Sequence, residues 1–394
     1  MKPLDGLRVL DFSRVLAGPY ATQILAELGA TVTKIERPGA GDESRQFEPL
    51  LPHGESAYFF ALNRAKRSMT LNLKSVEGRS IARRLMTDID VVVENFLPGE
   101  MAGYGLDYAT VAADNPRLVY VSNTGFGQTG PYRDRNGYDT IFQALSGAMA
   151  LTGYPDGPPA KLGLPLADIT SGLWIAVAVL ASLVGRGVSG RGAYVDLAMM
   201  DVQTSLLTVA AARLFATGED PARAGTEHLG RVPSAAFVCA GGAYLHISGS
   251  DQHWPATCAV LGLDALAADP ALVNNAGRVI ARDRIMAAMR AATATQDRTT
   301  LAAALRARNV PAGEVQSVAE ALADPHIQAR GMVTHFDHPT EGAFPALRTP
   351  LRFDGFDNPA TGVPPLLGAD TDSILAGLGY DSARVAALRA ERVI

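Results

Sequence analysis

Arg8-Val-Leu-Asp-Phe12, Gly18 to Leu28 and Thr31-Val-Thr-Lys-Ile-Glu36 decide the fold. The first and third segments alternate and are β-branched, which predicts strands. Between them Tyr20, Ile24, Leu25 and Leu28 fall at helical spacing, and Gly29 ends the run. The unit is strand–helix–strand with an acidic residue closing its second strand, as in a dinucleotide site. Its first turn, Ser13-Arg-Val-Leu-Ala-Gly-Pro19, lacks the glycine spacing that lets a pyrophosphate approach the backbone, so an NAD oxidoreductase is disfavoured.

Downstream, Ser75 to Thr87 reads as a helix and Asp90-Val-Val-Val-Glu-Asn95 as a third strand. A short helix near Tyr108 to Asp114 and a strand Leu118-Val-Tyr-Val-Ser122 follow. Gly125-Phe-Gly127-Gln-Thr-Gly130 spells a glycine fingerprint, but Pro131 and a polar stretch follow it, so a loop is expected. Alternating strands and helices over some 200 residues predict an α/β domain with a mostly parallel sheet. Past Gly218 the texture changes. Asp220 to Gly230 is loop-like, Phe237 to Ser248 reads as a hairpin turning at Gly241-Gly242, and Ala256 to Arg308 as several helices. The expected division is 1–218 for the first part of a large domain, 219–328 for a smaller α+β domain, and 329–394 for a tail ending in two helices.

Of 394 residues 47% are hydrophobic and 19% charged, enough apolar content to bury a large core. A net charge of −5 with no basic block argues against nucleic acid. Cys239 and Cys258 form neither a metal-spaced pair nor a disulfide framework, which fits a reducing cytoplasm. The opening Met-Lys-Pro-Leu-Asp-Gly does not read as a signal peptide, so a cytoplasmic protein is expected. The longest apolar run, Leu173 to Val184, is shorter than the roughly 20 residues a bilayer needs, so a buried helix and no membrane association are expected.

Among seven histidines only His335 and His338 lie close together, and neither H-E-x-x-H nor C-x-x-C occurs, so no metal is expected. A serine elbow, G-x-S-x-G, is also missing. Carboxylates remain as nucleophiles or bases. One is Asp168, in Leu164-Pro-Leu-Ala-Asp168-Ile-Thr-Ser-Gly172, at the start of the apolar run. It reads as a helix N-cap, or as a nucleophile steadied by backbone N–H groups. The residues alone do not select it from the other carboxylates.

Pro3-Leu-Asp-Gly-Leu-Arg-Val-Leu-Asp11, Ala17-Gly-Pro19, Leu28-Gly-Ala30, Lys34-Ile-Glu-Arg37, Asn63-Arg-Ala-Lys-Arg-Ser68, Leu71-Asn-Leu-Lys74 and Val93-Glu-Asn-Phe96 occur in order. Thr124-Gly-Phe-Gly-Gln-Thr-Gly-Pro131, Gly137-Tyr-Asp139, Leu166-Ala-Asp168 and Pro364-Pro-Leu-Leu-Gly368 continue the series. Together they resemble the family III CoA-transferases over nearly the whole chain. The resemblance implies a Rossmann-like large domain built from both chain ends, a smaller domain and an interlocked homodimer. It implies Asp168 as the catalytic carboxylate, with no permanently bound cofactor and a CoA thioester as substrate. It further implies that Asp168 attacks a donor acyl-CoA, giving a mixed anhydride and then an aspartyl-CoA thioester, and that the acceptor acid runs the steps in reverse. Val15, Arg37, Leu71, Lys74, Asn95 and Phe96 match the family's CoA contacts.

The wording is most similar to succinyl-CoA-dependent dicarboxylate CoA-transferases. A second substrate carboxylate would need a cation, and Arg14, Arg67, and Arg133 or Arg135 are unranked candidates; with Arg14 and Arg67, Leu16, Tyr138 and Asp139 are expected to line the active site. Leu16 stands where some formyl-CoA transferases have Gln, and their glycine-run loop has only Gly241-Gly242 as a weak counterpart. Oxalate and formate are therefore not expected as substrates. The alternatives are a 2-methylacyl-CoA racemase on the same fold and a non-catalytic acyl-CoA-binding protein. Racemases use a His–Asp pair where this chain has Tyr138-Asp139, and a phenol is a poor replacement for imidazole in proton transfer near neutral pH.

Overall fold

The structure is a computed structural model describing residues 1–394. In chain order β1 (Arg8–Asp11), α1 (Ala17–Glu27), β2 (Thr31–Glu36), α2 (Ala57–Leu62), β3 (Arg67–Thr70), α3 (Val76–Met86), β4 (Val91–Glu94) and β5 (Val119–Thr124) are followed by α4 (Asp139–Leu145), α5 (Leu166–Ser189), β6 (Ala193–Ala198), α6 (Met199–Ser205) and α7 (Thr208–Thr217). The sheet is wholly parallel, in the order β3-β2-β1-β4-β5-β6. Chain order reverses at β1, where β2 lies on one side and β4 on the other. Ligand crevices of open α/β sheets form outside strand ends at such a switch point.

Alternation along the strands sends neighbouring side chains to opposite faces. Leu10, Phe12, Val92 and Tyr120 share one core with Ile81 and Met86 of α3. Val9, Val91, Val93, Val119 and Val121 share the other with Ala21 and Leu25 of α1 and Ile175 and Val179 of α5. Covering helices on both faces explain the near-continuous apolar strands.

Two compact units divide the chain. The first comprises Met1–Ala148, Lys161–Ala212 and Pro325–Ile394. Its later part holds the antiparallel pair β10 (Val333–His338) and β11 (Gly342–Leu347), then α8 (Thr371–Gly377) and α9 (Ser382–Ala390). Leu375 and Leu388 of these helices pack in the core beside β1. The second unit comprises Met149–Ala160 and Arg213–Asp324. In it β7 (Ser234–Val238), β8 (Tyr244–Ser248) and β9 (Ala312–Glu314) form an antiparallel sheet whose core includes Phe237, Ile247, Met289 and Leu301. Residues 149–160, placed in the large domain by sequence, cluster instead with the second unit. Arg223 donates to the carbonyls of Tyr154 and Gly157, and Gly225 N–H to Gly153 O at 2.9 Å.

Further differences concern α5 and the strand count. The helix begins at Leu166 and runs 24 residues, long and apolar enough by length and composition to cross a membrane. Only one face is buried, through Ser171, Ile175 and Val179, while Leu173, Trp174, Val177, Val184 and Val188 are exposed. The expected buried helix is thus half-covered in the single chain. The strand-like stretch Met69 to Leu73 before Lys74 is strand β3, shifted to Arg67–Thr70, which makes Val91–Glu94 the fourth strand, and β6 was not anticipated.

Gly172 lets α5 approach α1. A Cβ there would stand 2.8 Å from the Ala17 carbonyl oxygen and 2.9 Å from Tyr20 Cδ1. Backbone cannot yield as a flexible side chain can, so Gly172→Ala is expected to lower unfolding free energy in urea by about 1–3 kcal/mol, the usual cost of overpacking. An unchanged midpoint would show that the helices separate freely.

Candidate active site

The β1–α1 loop, Ser13–Leu16, is held by buried ions. Lys34 Nζ donates to Ser13 O at 2.8 Å and pairs with Asp42 at 2.8 Å. Lys66 Nζ pairs with Asp11 at 3.0 Å and donates to Pro19 O at 2.9 Å. Asp11 also accepts from Ser13 N–H at 2.9 Å and Thr22 Oγ1 at 2.6 Å. All four ionic side chains are buried. Burial pulls the Lys66 ammonium down to about 8 despite Asp11. Burial pushes the Asp42 carboxyl up, but Lys34 and Ser44 outweigh it and hold it well below the usual range. Val15 sits at φ 69°, an unfavourable conformation for a β-branched residue, and its N–H meets both Asp42 oxygens at 3.2 Å. Asn95 grips the same loop, accepting from Arg14 N–H and donating to Arg14 O, both at 2.9 Å.

Over this loop opens a cleft of about 720 Å³ at the ends of β1–β4. Arg14, Arg37, Leu71, Lys74 and Phe96 line it, so most of the expected CoA positions converge there. Val15 and Asn95 do not line it; they shape its floor through the loop backbone. Arg14 lies 4.9 Å over the Phe96 ring and 3.1 Å from Glu43, which Arg37 approaches at 3.5 Å. Lys74 is exposed and has no carboxylate partner. Arg392 is a further lining cation with no motif signal in the sequence. Its carbonyl accepts from Asn72 Nδ2 at 3.3 Å, two residues before Lys74. Glu36, the acidic residue of the dinucleotide-like unit, is committed to Arg45 at 2.7 and 2.8 Å.

Arg67, Leu16, Arg133, Arg135 and Tyr138, also expected at the site, do not line this cleft. Arg67 lies at the opposite end of β3 from Lys74, tied to Asp370 at 3.3 Å and Ser373 at 3.0 Å. Leu16 is 4% exposed and belongs to the core rather than to a substrate surface. Arg133 lines a separate cleft with Glu94 and Tyr194, and Arg135 stacks on Tyr132 at 3.6 Å. Tyr138 is 82% exposed.

Asp168 is the third residue of α5, not its cap; Pro165 holds the cap position and offers no side-chain acceptor. The acceptor comes from another helix. Asp139 Oδ1 receives Ala167 N–H at 2.7 Å and Asp168 N–H at 3.4 Å. No cation acts on the Asp168 carboxylate, whose surroundings contribute only burial and the Asp139 charge. Burial first, then the neighbouring Asp139 charge, push its pKa up to about 7. Burial and the charges of Asp168, Asp42 and Asp139 push the Tyr58 phenol up to about 12, so Tyr58 lies within electrostatic reach both of the cleft wall and of Asp168. Sequence reasoning missed Tyr58 and Gln143. The i, i+4 spacing of Asp139 and Gln143 on α4 was the available signal for the latter.

A parallel α/β sheet with a cation-lined cleft at its switch point, and a carboxylate of raised pKa in the first turn of α5, fit an enzyme site for a large anionic substrate. Residues 4–371 match the model for CoA-transferase family III. The chain is 40% identical over 357 residues to a succinate–glutarate CoA-transferase of Agrobacterium fabrum, covering 89% of both. It is 38% identical to an acetyl-CoA:oxalate CoA-transferase of Acetobacter aceti, covering 91% of this chain and 90% of the relative. The crystal structure of a CaiB/BaiF family protein from Brucella suis superposes with a TM-score of 0.86 at 40% identity, covering 96% of this chain and 99% of the other. The chain belongs to CoA-transferase family III, and it is an enzyme of that class.

The raised carboxyl of Asp168 has a stability consequence. Its folded pKa, about 7, lies above the ordinary 3.8, so between those values the folded state holds a proton that the unfolded chain releases. The contribution is therefore lost as pH rises through that window. Asp168→Asn is expected to raise Tm at pH 8, with a smaller rise at pH 5. An equal effect at both pH values would contradict the assigned environment.

Proposed function

We propose that the chain moves CoA from a dicarboxylyl-CoA donor, succinyl-CoA first among candidates, to a carboxylic acid, with Asp168 as nucleophile. The observation that carries this reading is a half-buried carboxylate without a cation partner, in the first turn of α5. Such a group is nucleophilic once ionised. An Asp168 oxygen attacks the donor thioester carbonyl, forming the mixed anhydride and releasing CoA thiolate. The thiolate attacks the aspartyl carbonyl, and the donor acid departs with the bridging oxygen. The acceptor carboxylate then attacks the aspartyl-CoA thioester, and the released thiolate attacks the acceptor half of the new anhydride. The acceptor leaves as its CoA thioester and Asp168 is regenerated. No redox equivalent or added proton is consumed.

In this reading Arg37 and Lys74 take the CoA phosphates, Leu71 and Phe96 supply apolar contact, and Val15 and Asn95 keep the loop in shape. Arg14 is the best-placed candidate for a second substrate carboxylate, because it lines the cleft and Arg67 does not. Racemisation is the weaker reading: Asp139 is occupied by backbone N–H groups and Tyr138 faces solvent. The name of the Acetobacter relative brings oxalate, which the glycine-loop departure had disfavoured, back into the acceptor panel. The exposed apolar rows of α5 and of α7, where Val209 and Phe215 are bare, support burial against a second copy in a homodimer. Free, buried Cys239 and Cys258 support a cytoplasmic setting.

Asp168→Ala is expected to cut CoA exchange between succinyl-CoA and glutarate at least a thousand-fold while acyl-CoA still binds; near-normal turnover would end the reading. Lys74→Glu should raise KM for the acyl-CoA about ten-fold, on the order of 1.4 kcal/mol, with kcat little changed. An unchanged KM would remove Lys74 from the CoA site.

A further inference from the structure

Asp139 is only partly exposed, and its carboxylate is shared among three donors. Oδ1 takes the N–H groups of Ala167 and Asp168, and Oδ2 takes Gln143 Nε2 at 2.7 Å. Gln143 is buried one turn along the same helix, and its Oε1 receives Leu162 N–H at 2.9 Å. The two side chains thus join α4 to both ends of the segment 162–168. Pro165 cannot cap α5 with its own side chain, so orphan N–H groups of the first turn rely on this outside acceptor. We propose that Asp139, oriented by Gln143, is a positioning residue that holds the first turn of α5 so that the Asp168 carboxylate meets the thioester carbonyl in attacking geometry.

This rests on the reading of Asp168 as nucleophile. The amide orientation of Gln143 follows from its neighbours, because one end faces a carboxylate and the other an N–H donor. The device also places a negative charge beside Asp168, so it acts on ionisation as well as position. The titratable groups set around Asp168 are Asp139 on α4, Tyr58 on α2 and, through Tyr58, Asp42 after β2; no cation forms an ion pair with it.

The arrangement allows an isosteric exchange of roles. In Asp139→Asn, Oδ1 still accepts from Ala167, but the new amide nitrogen faces the Gln143 Nε2 donor. Rotating Gln143 only moves the conflict to Leu162 N–H. Adding Gln143→Glu repairs both ends, since one oxygen of the introduced carboxylate accepts from the new amide at position 139 and the other from Leu162 N–H. The experiment measures kcat, KM for succinyl-CoA and the pH dependence of kcat for D139A, D139N, D139N/Q143E and D168A.

D139A is expected to lose about a hundred-fold in kcat with KM changed less than two-fold, the cost of small misplacement. In D139N the acid limb of the kcat profile is expected to move to lower pH, because a like charge is gone. D139N/Q143E is expected to recover at least ten-fold of the kcat lost in D139N. A merely structural role would lower melting temperature and active fraction without moving the acid limb, and that outcome overturns the proposal. Failure of the double variant to recover kcat, while its melting temperature returns to wild type, overturns it as well. Turnover by D168A would instead overturn the nucleophile reading, so the two failures are distinguishable.

Discussion

The buried ions Lys34–Asp42 and Lys66–Asp11 fix the loop between β1 and α1, and the rest of the site is placed against that loop. Breaking one such pair leaves an unpaired charge in the interior, at a cost of about 3–5 kcal/mol, so the arrangement has little freedom to drift. The pairs also donate to the carbonyls of Ser13 and Pro19, one at each side of the turn. On one side the cleft opens with its arginines and Lys74. On the other, α1 begins and meets α5 at Gly172, one turn beyond Asp168. The same loop therefore borders the cation-lined cleft on one side and, through α1, the first turns of α5 on the other.

Charge is handled oppositely in the two places. Around the cleft, cations outnumber their partners: Glu43 is shared by Arg14 and Arg37, and Lys74 stands unpaired. In the proposed function an anionic substrate completes that set. Around Asp168 there is no compensating cation, and Asp139 adds like charge. In the mechanism proposed above, a thioester carbonyl takes the place of water beside that carboxylate. Acyl transfer between thioester and anhydride needs no external energy source, so positioning and exclusion of water are the tasks left to the protein.

The first strand–helix–strand unit, the hairpin at Gly241-Gly242 and the two final helices were legible because each combines one clear period with a turn residue. β6 was not. Ala193-Tyr-Val-Asp-Leu-Ala is short, half-exposed at its start and follows a long helix directly, so its alternation does not stand out. The cap of α5 was misread for a different reason. Asp168 is the only acidic residue near the start of the apolar run, yet the acceptor that serves those N–H groups is 28 residues earlier. Arg67 looked as suitable as Arg14 because sequence does not tell which end of a strand faces the ligand. The CoA positions came through family resemblance, and Arg392 had no signal because its place depends on how α9 is followed back towards Asn72.

In the proposed mechanism an oxygen of Asp168 becomes covalently involved in every transfer. In the scheme above, the donor acid departs with an oxygen from Asp168, and the acceptor leaves one of its own behind. The direct measurement is turnover with an acceptor acid labelled with heavy oxygen in its carboxylate, followed by mass analysis of the peptide containing Asp168. Label is expected in the Asp168 carboxylate after turnover and none in the peptides carrying Asp139 or Glu94. Label retained wholly in the small acids and their thioesters during active exchange would contradict the mechanism.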